Sequence, residues 1–130
     1  MATRALVISI EDYPASDTLA RRLPGTNAAA AQFIKWLKDK QKKNLKDDAL
    51  YVCAAAGVEG RTAGTSRVEI VNELGRLFAA GRNQTEELYV FFSGHGFAYP
   101  VRRSGTVDVL VASDFVRPED SGGASSLGAP

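Results

Sequence analysis

A chain of 130 residues has room for one domain and one core, and 45% hydrophobic against 24% charged residues is the balance of an ordinary soluble globular protein. Lys and Arg number 16 against 15 acidic residues, and the resulting net charge of +1 supplies no attraction for nucleic acid or an anionic membrane. No apolar run reaches the roughly 18 residues needed to cross a bilayer and no signal-peptide pattern opens the chain, so a cytoplasmic protein is expected. The single cysteine, Cys53, excludes an intrachain disulfide.

Arg4 to Ile10 is a short, mostly apolar run that reads as a strand, ended by Glu-Asp-Tyr-Pro because Pro14 has no amide hydrogen for a ladder. A polar loop from Glu11 to Gly25 follows and carries the paired Arg21 and Arg22. Thr26, read as an N-cap, opens an amphipathic helix to about Lys43: Ala30, Phe33, Ile34 and Leu37 recur at helical spacing, while Lys35, Lys38, Lys42 and Lys43 fall on other faces. Those lysines read as a solvated side rather than a nucleic-acid face, since no aromatic platform or motif accompanies them. Asp48 to Ala55 reads as a second strand, and the glycine-rich loop after it lacks the Lys-Ser/Thr pair of a phosphate-binding loop. Ser66-Arg67-Val68-Glu69 is a capping box, and Ile70, Val71, Leu74, Leu77 and Phe78 supply the apolar face of a second helix closed by Gly81.

Leu88 to Phe92 is a hydrophobic run without polar alternation, which calls for cover on both faces and predicts a central, buried parallel strand. Phe97 to Gly105 reads as a loop and Val107 to Ala112 as a fourth strand ending at Ser113-Asp114. Residues 117–130 form a Gly/Ser/Ala-rich tail too poor in apolar surface to hold one conformation. The alternation of strands and helices predicts an α/β domain over residues 1–116, a three-layer sandwich with a mostly parallel sheet. Two helices for four strands leave part of one face uncovered.

The third strand stops on Ser93-Gly94-His95-Gly96, where glycines flank the only histidine. The carboxyl end of a parallel strand is where ligands gather, and glycine permits a sharp bend and close approach of the main chain to a bound group. A histidine so presented can serve as a general acid or base. The bland alternative is a tight turn whose imidazole caps the strand end. A serine hydrolase built on Ser93 and His95 lacks a Gly-x-Ser-x-Gly elbow.

Phe-Phe-Ser-Gly-His-Gly, residues 91 to 96, resembles the histidine motif of the caspase-like cysteine peptidases, the group of caspases, metacaspases and their bacterial relatives. Weaker similarities follow in the right order: the Arg-Ala-Leu-Val-Ile-Ser-Ile strand, Leu-Pro-Gly-Thr-Asn-Ala at the opening of the first helix, Thr-Ser-Arg-Val-Glu-Ile in the second, and Asp-Val-Leu-Val-Ala-Ser-Asp after the motif. The resemblance implies a caspase-like fold, a peptide or protein substrate, no metal and no organic cofactor. It implies a cysteine thiolate that attacks the scissile carbonyl, with His95 as acid/base and the Gly96 amide as oxyanion donor. In caspases the nucleophile follows the histidine by about 50 residues, which here lies past Pro130. Cys53 precedes the motif and reads as a small buried hydrophobe. The chain is therefore expected to be the N-terminal part of such a domain, inactive alone, with a C-terminal half or second chain supplying the cysteine.

For substrate binding the resemblance points to Arg21 and Arg22, near the position of the arginine that binds an acidic side chain in caspases, and to Asp114, an acidic position common in the family. Solvated loop arginines and a turn cap are the bland readings of these residues. Asn27 is followed by Ala28 where many bacterial relatives carry Asp, which removes one acid expected of a basic-side-chain pocket. The alternative to an enzyme is a catalytically inactive caspase-like module that binds peptide or a partner.

Overall fold

The strand that opens the chain, β1 (Ala2–Ser9), becomes the middle of the sheet. In the computed structural model, which describes residues 2–15, 21–82, 84–101, 105–115 and 126–127, β1 pairs in parallel with β2 (Leu50–Cys53) on one side and β3 (Thr85–Ser93) on the other. Helix α1 (Thr26–Lys38) connects β1 to β2, and α2 (Arg67–Gly81) connects β2 to β3. The sheet order β2-β1-β3 means that the two crossovers run in opposite lateral directions. Two right-handed crossovers of that kind must put their helices on opposite faces.

Alternation along β1 shows both faces filled. Ala5 and Val7 join Ala30, Ile34 and Leu37 of α1 in one buried cluster, while Leu6 and Ile8 join Ile70 and Leu77 of α2 in the other. The molecule is an α/β protein with a parallel three-stranded sheet between helices.

The expected fourth strand does not enter this sheet. The stretch expected to be a loop forms β4 (Gly96–Val101), which pairs antiparallel with β5 (Gly105–Val111) in a separate sheet of order β4-β5-β6. The two runs are joined by a connection too short for a crossover helix, so they can pair with each other only as a hairpin. Val111, Ala112 and Phe115 then pack into the core on the α2 side. The short β6 (Ser126–Leu127) pairs with Val111 and Leu110. The remaining tail positions and the boundary at residues 116–117 lie outside the described residues.

Among the described residues β3 is an edge strand, not the central one expected. Its run of apolar residues is covered on one face and, on the other, only at Phe92, which packs against the α2-side cluster. Tyr89 and Phe91 pack on the α1 side, with the Phe91 and Phe33 rings stacked at 5.0 Å. On the other face α2 lies over β1 and β2, leaving Leu88 and Val90 exposed. This is the uncovered part of a face that the count of helices implies.

Helix boundaries and faces also differ from the periodicity. α1 begins one residue after its N-cap Gly25, which takes the left-handed conformation (φ 96°), so Thr26 is the first helical residue. The helix ends at Lys38 rather than near Lys43, because the Leu45 amide donates back to the Leu37 carbonyl at 2.7 Å and turns the chain into η1 (Asp47–Ala49). In α2 the buried residues are Ile70, Glu73 and Leu77, whereas Val71 and Phe78 of the expected apolar face are exposed.

Candidate functional site

The connection after β1 leads to one side of the sheet and the return through α2 leads to the other, so the carboxyl ends of β1 and β3 flank a topological switch point. Open α/β sheets form their ligand crevice at such a point, since the two connections diverge and leave a gap. The ladder between β1 and β3 continues to its end, with Ser9 beside Ser93 and the Ile10 amide donating to the Ser93 carbonyl at 2.9 Å. His95 follows two residues later and is half-buried. Ser9 is buried there and donates to the Asn27 side-chain oxygen at 2.7 Å, tying the end of β1 to the first turn of α1.

The main chain of His95 is held from two directions. Its carbonyl accepts from the Val111 amide at 3.0 Å, and its amide donates to the Tyr13 hydroxyl at 2.8 Å. The Tyr13 ring also lies against the imidazole, with centroids 4.8 Å apart and planes tilted by 54°. Because His95 turns its carbonyl toward β5, the alternation of an antiparallel ladder turns the next amide, that of Gly96, away from β5. Gly96 is exposed and β4 is an edge strand among the described residues, so that amide faces the open side.

Neither flanking glycine has a positive φ, so the bend does not use the left-handed region. What both require is space. A Cβ at Gly94 would stand 2.6 Å from the Tyr13 hydroxyl and one at Gly96 3.0 Å from the Val109 carbonyl oxygen.

Arg21 and Arg22 lie on the loop strand opposite Tyr13. The Tyr13 amide donates to the Arg21 carbonyl at 2.6 Å, Asp12 and Arg22 form an antiparallel bridge, and Arg21 Nε pairs with Asp12 Oδ1 at 3.2 Å. Both arginines are exposed. They therefore flank the segment that touches His95, with Arg21 engaged by a local acid. Asp114 is directed elsewhere: its Oδ1 accepts from the Arg67 amide at 3.1 Å, at the first residue of α2.

Cys53 lies within β2, paired with Ile8, and is fully buried. Burial, with the carboxylates of Glu73 and Glu69 adding to it, pushes its thiol up to about 12. A thiol held protonated is neither nucleophile nor metal ligand at neutral pH. Among the described residues no group of three or more His, Cys, Asp or Glu side chains is arranged to hold a metal. Likewise none of the described helices is long and apolar enough to cross a membrane.

Two residues near these sites are not marked by the sequence pattern. Tyr13 sits in a polar loop, yet it is fully buried. Its one sequence signal is an aromatic ring beside Pro14 at a strand end. Glu73 is buried on α2, where it accepts from Thr62 Oγ1 at 2.5 Å and pairs with Arg76. Periodicity misses it because a carboxylate there breaks the apolar rhythm.

Two of the surface cavities lie apart from the histidine. One of about 550 Å³ runs between α1 and Val58-Glu59, and one of about 300 Å³ lies between α2 and Leu88. Neither is lined by His95 or Gly96, so the switch point, where chemistry-bearing groups converge, is the stronger candidate. Comparison of the chain with protein-family models, with curated proteins and with solved structures finds no match.

Proposed function

We propose that this chain is the histidine-bearing portion of a caspase-like cysteine endopeptidase, acting in the cytoplasm on peptide or protein substrates. The observation that carries the reading is His95 at the carboxyl end of β3, beside the end of β1, followed by an exposed glycine whose amide faces the open side. A cysteine from a C-terminal half or a second chain, completing the sheet alongside β3, supplies the sulfur. His95 takes the thiol proton, the resulting thiolate attacks the scissile carbonyl carbon, the oxygen takes the electron pair, and the Gly96 amide donates to that oxyanion. Collapse of the tetrahedral intermediate breaks the C–N bond as His95 gives a proton to the departing amine. Water, deprotonated by His95, then hydrolyses the thioester and restores the thiol. No metal or organic cofactor enters the sequence of steps.

The burial of Cys53 favours one other reading, a noncatalytic caspase-like module that binds peptide or a partner, because the chain's one cysteine is not a thiolate. The two separate on reconstitution. With a segment carrying a strand and a nucleophilic cysteine, the peptidase reading expects cleavage that His95→Ala abolishes. Undiminished cleavage by that variant overturns the assignment, and no cleavage by the wild-type assembly favours the binding module.

A further inference from the structure

The ladder between the histidine turn and β5 has a side chain inserted in it. Directly opposed antiparallel residues of the hydrogen-bonded type exchange two bonds, each amide donating to the other's carbonyl. His95 and Val111 make the first of these, Val111 N–H to His95 C=O at 3.0 Å. In place of the second stands a relay: the His95 amide donates to Tyr13 Oη at 2.8 Å, and the Tyr13 hydroxyl donates to the Val111 carbonyl at 2.8 Å. The regular pairing of β4 with β5 accordingly begins one residue later, at Gly96 and Leu110.

We propose that Tyr13 is a positioning residue for His95, holding the histidine's main chain through this hydroxyl relay and limiting the imidazole with its ring. One hydroxyl uses both of its roles, accepting and donating, to join the loop after β1, the end of β3 and the end of β5. Tyr13 is fully buried, so solvent has no ready route to replace it. Burial also raises the phenol above its ordinary range, and the hydroxyl keeps the proton that it donates to Val111. Its own place is fixed by the Tyr13 amide bonding to the Arg21 carbonyl and by core packing with Val111, Ala112 and Phe115. Gly94 completes the fit, because any side chain there would meet the hydroxyl. The catalytic consequence rests on the peptidase reading; the anchoring does not.

The anchoring is tested on the 130-residue chain by NMR. In the wild-type protein the Tyr13 hydroxyl proton should exchange slowly and show a nuclear Overhauser effect to the His95 amide proton. Absence of that contact overturns the proposal without any variant. Tyr13→Phe keeps the ring and removes the relay, leaving the half-buried His95 amide and the buried Val111 carbonyl without it. Exchange of the His95 amide should then accelerate on the order of tenfold relative to the Val7 amide in the sheet centre. Equal acceleration at both sites means general destabilisation and also overturns it. In a reconstituted assembly that cleaves peptide, Tyr13→Phe should lower kcat roughly tenfold with KM changed less than about twofold. An unchanged kcat ends the positioning role. If the wild-type assembly does not cleave, the peptidase reading fails and the exchange result alone decides the anchoring.

Discussion

Cys53 shows how a single side chain's surroundings set both its inertness and a measurable pH dependence. It belongs to the α2-side core cluster with Tyr51, Leu6 and Ile70, and desolvation is the largest cause of its raised pKa. In the unfolded chain the thiol loses its proton near the ordinary 9.0, whereas the folded protein retains it to about 12. Between these values the folded state binds the extra proton, so the thiol's contribution to stability is intact below pH 9 and is lost as the pH rises. Urea denaturation of the wild type at pH 8, 9.5 and 10.5 should show a steeper decline than that of Cys53→Ala. Parallel declines would mean that the thiol is accessible in the native state. Thiol-directed reagents at pH 8 should label Cys53 only at the rate of opening.

At the scale of elements, short-range signals are legible where local hydrogen bonds decide the outcome. Ser66 caps α2 as the sequence indicates, its Oγ accepting from the Glu69 amide at 3.3 Å and donating to Glu69 Oε1 at 2.8 Å. The Glu69 carboxylate also accepts from the Ser66 amide, the other half of the box, and its Oε2 accepts from the Gly64 amide at 2.9 Å, so the motif also fastens the preceding loop. These bonds hold the Glu69 carboxyl below its usual range, the Ser66 hydroxyl contributing most. Ser66→Ala should therefore cost about 1 kcal/mol, read as a lower urea midpoint with an unchanged m-value. A change below about 0.3 kcal/mol would assign the cap to Glu69 and Gly64 alone.

The face of α1 was legible because Ala30, Ile34 and Leu37 meet the middle of the sheet, where every apolar position finds cover. The face of α2 was less so. Val71 and Phe78 carry the right period but are exposed, and Glu73 is buried because Thr62 and Arg76 satisfy its carboxylate. The hairpin of β4 and β5 was hidden in part by Pro100, which reads as a breaker yet sits on an edge strand, where proline is tolerated. In the candidate site His95 and its glycines were visible as a break in an apolar run. Tyr13 was not, since its partners, His95 and Val111, are 82 and 98 residues away along the chain.

At the scale of the whole molecule, the strand order decides which side of the sheet is open. α2 returns over β2 and β1, so the outward flank of β3 shows Leu88 and Val90, 43% and 59% exposed, and the nearby Phe78 of α2 is 58% exposed. Contiguous apolar side chains beside an edge strand constitute an interaction or aggregation surface rather than a core. On the peptidase reading this flank receives the cysteine-bearing part of the sheet and its covering layer. Val90→Lys distinguishes the possibilities because Val90 contributes little to the core of this chain. It should change folding stability by less than about 0.5 kcal/mol, as surface substitutions do, and reduce dye binding to exposed apolar surface. The same lysine would place an unpaired charge under the completing layer, so reconstituted cleavage should fall by at least about tenfold. A loss of 2 kcal/mol or more in the isolated chain would show that other residues of this polypeptide already cover the flank. Full reconstituted activity would place the completing segment elsewhere on the molecule, and with it the sulfur that His95 is proposed to serve.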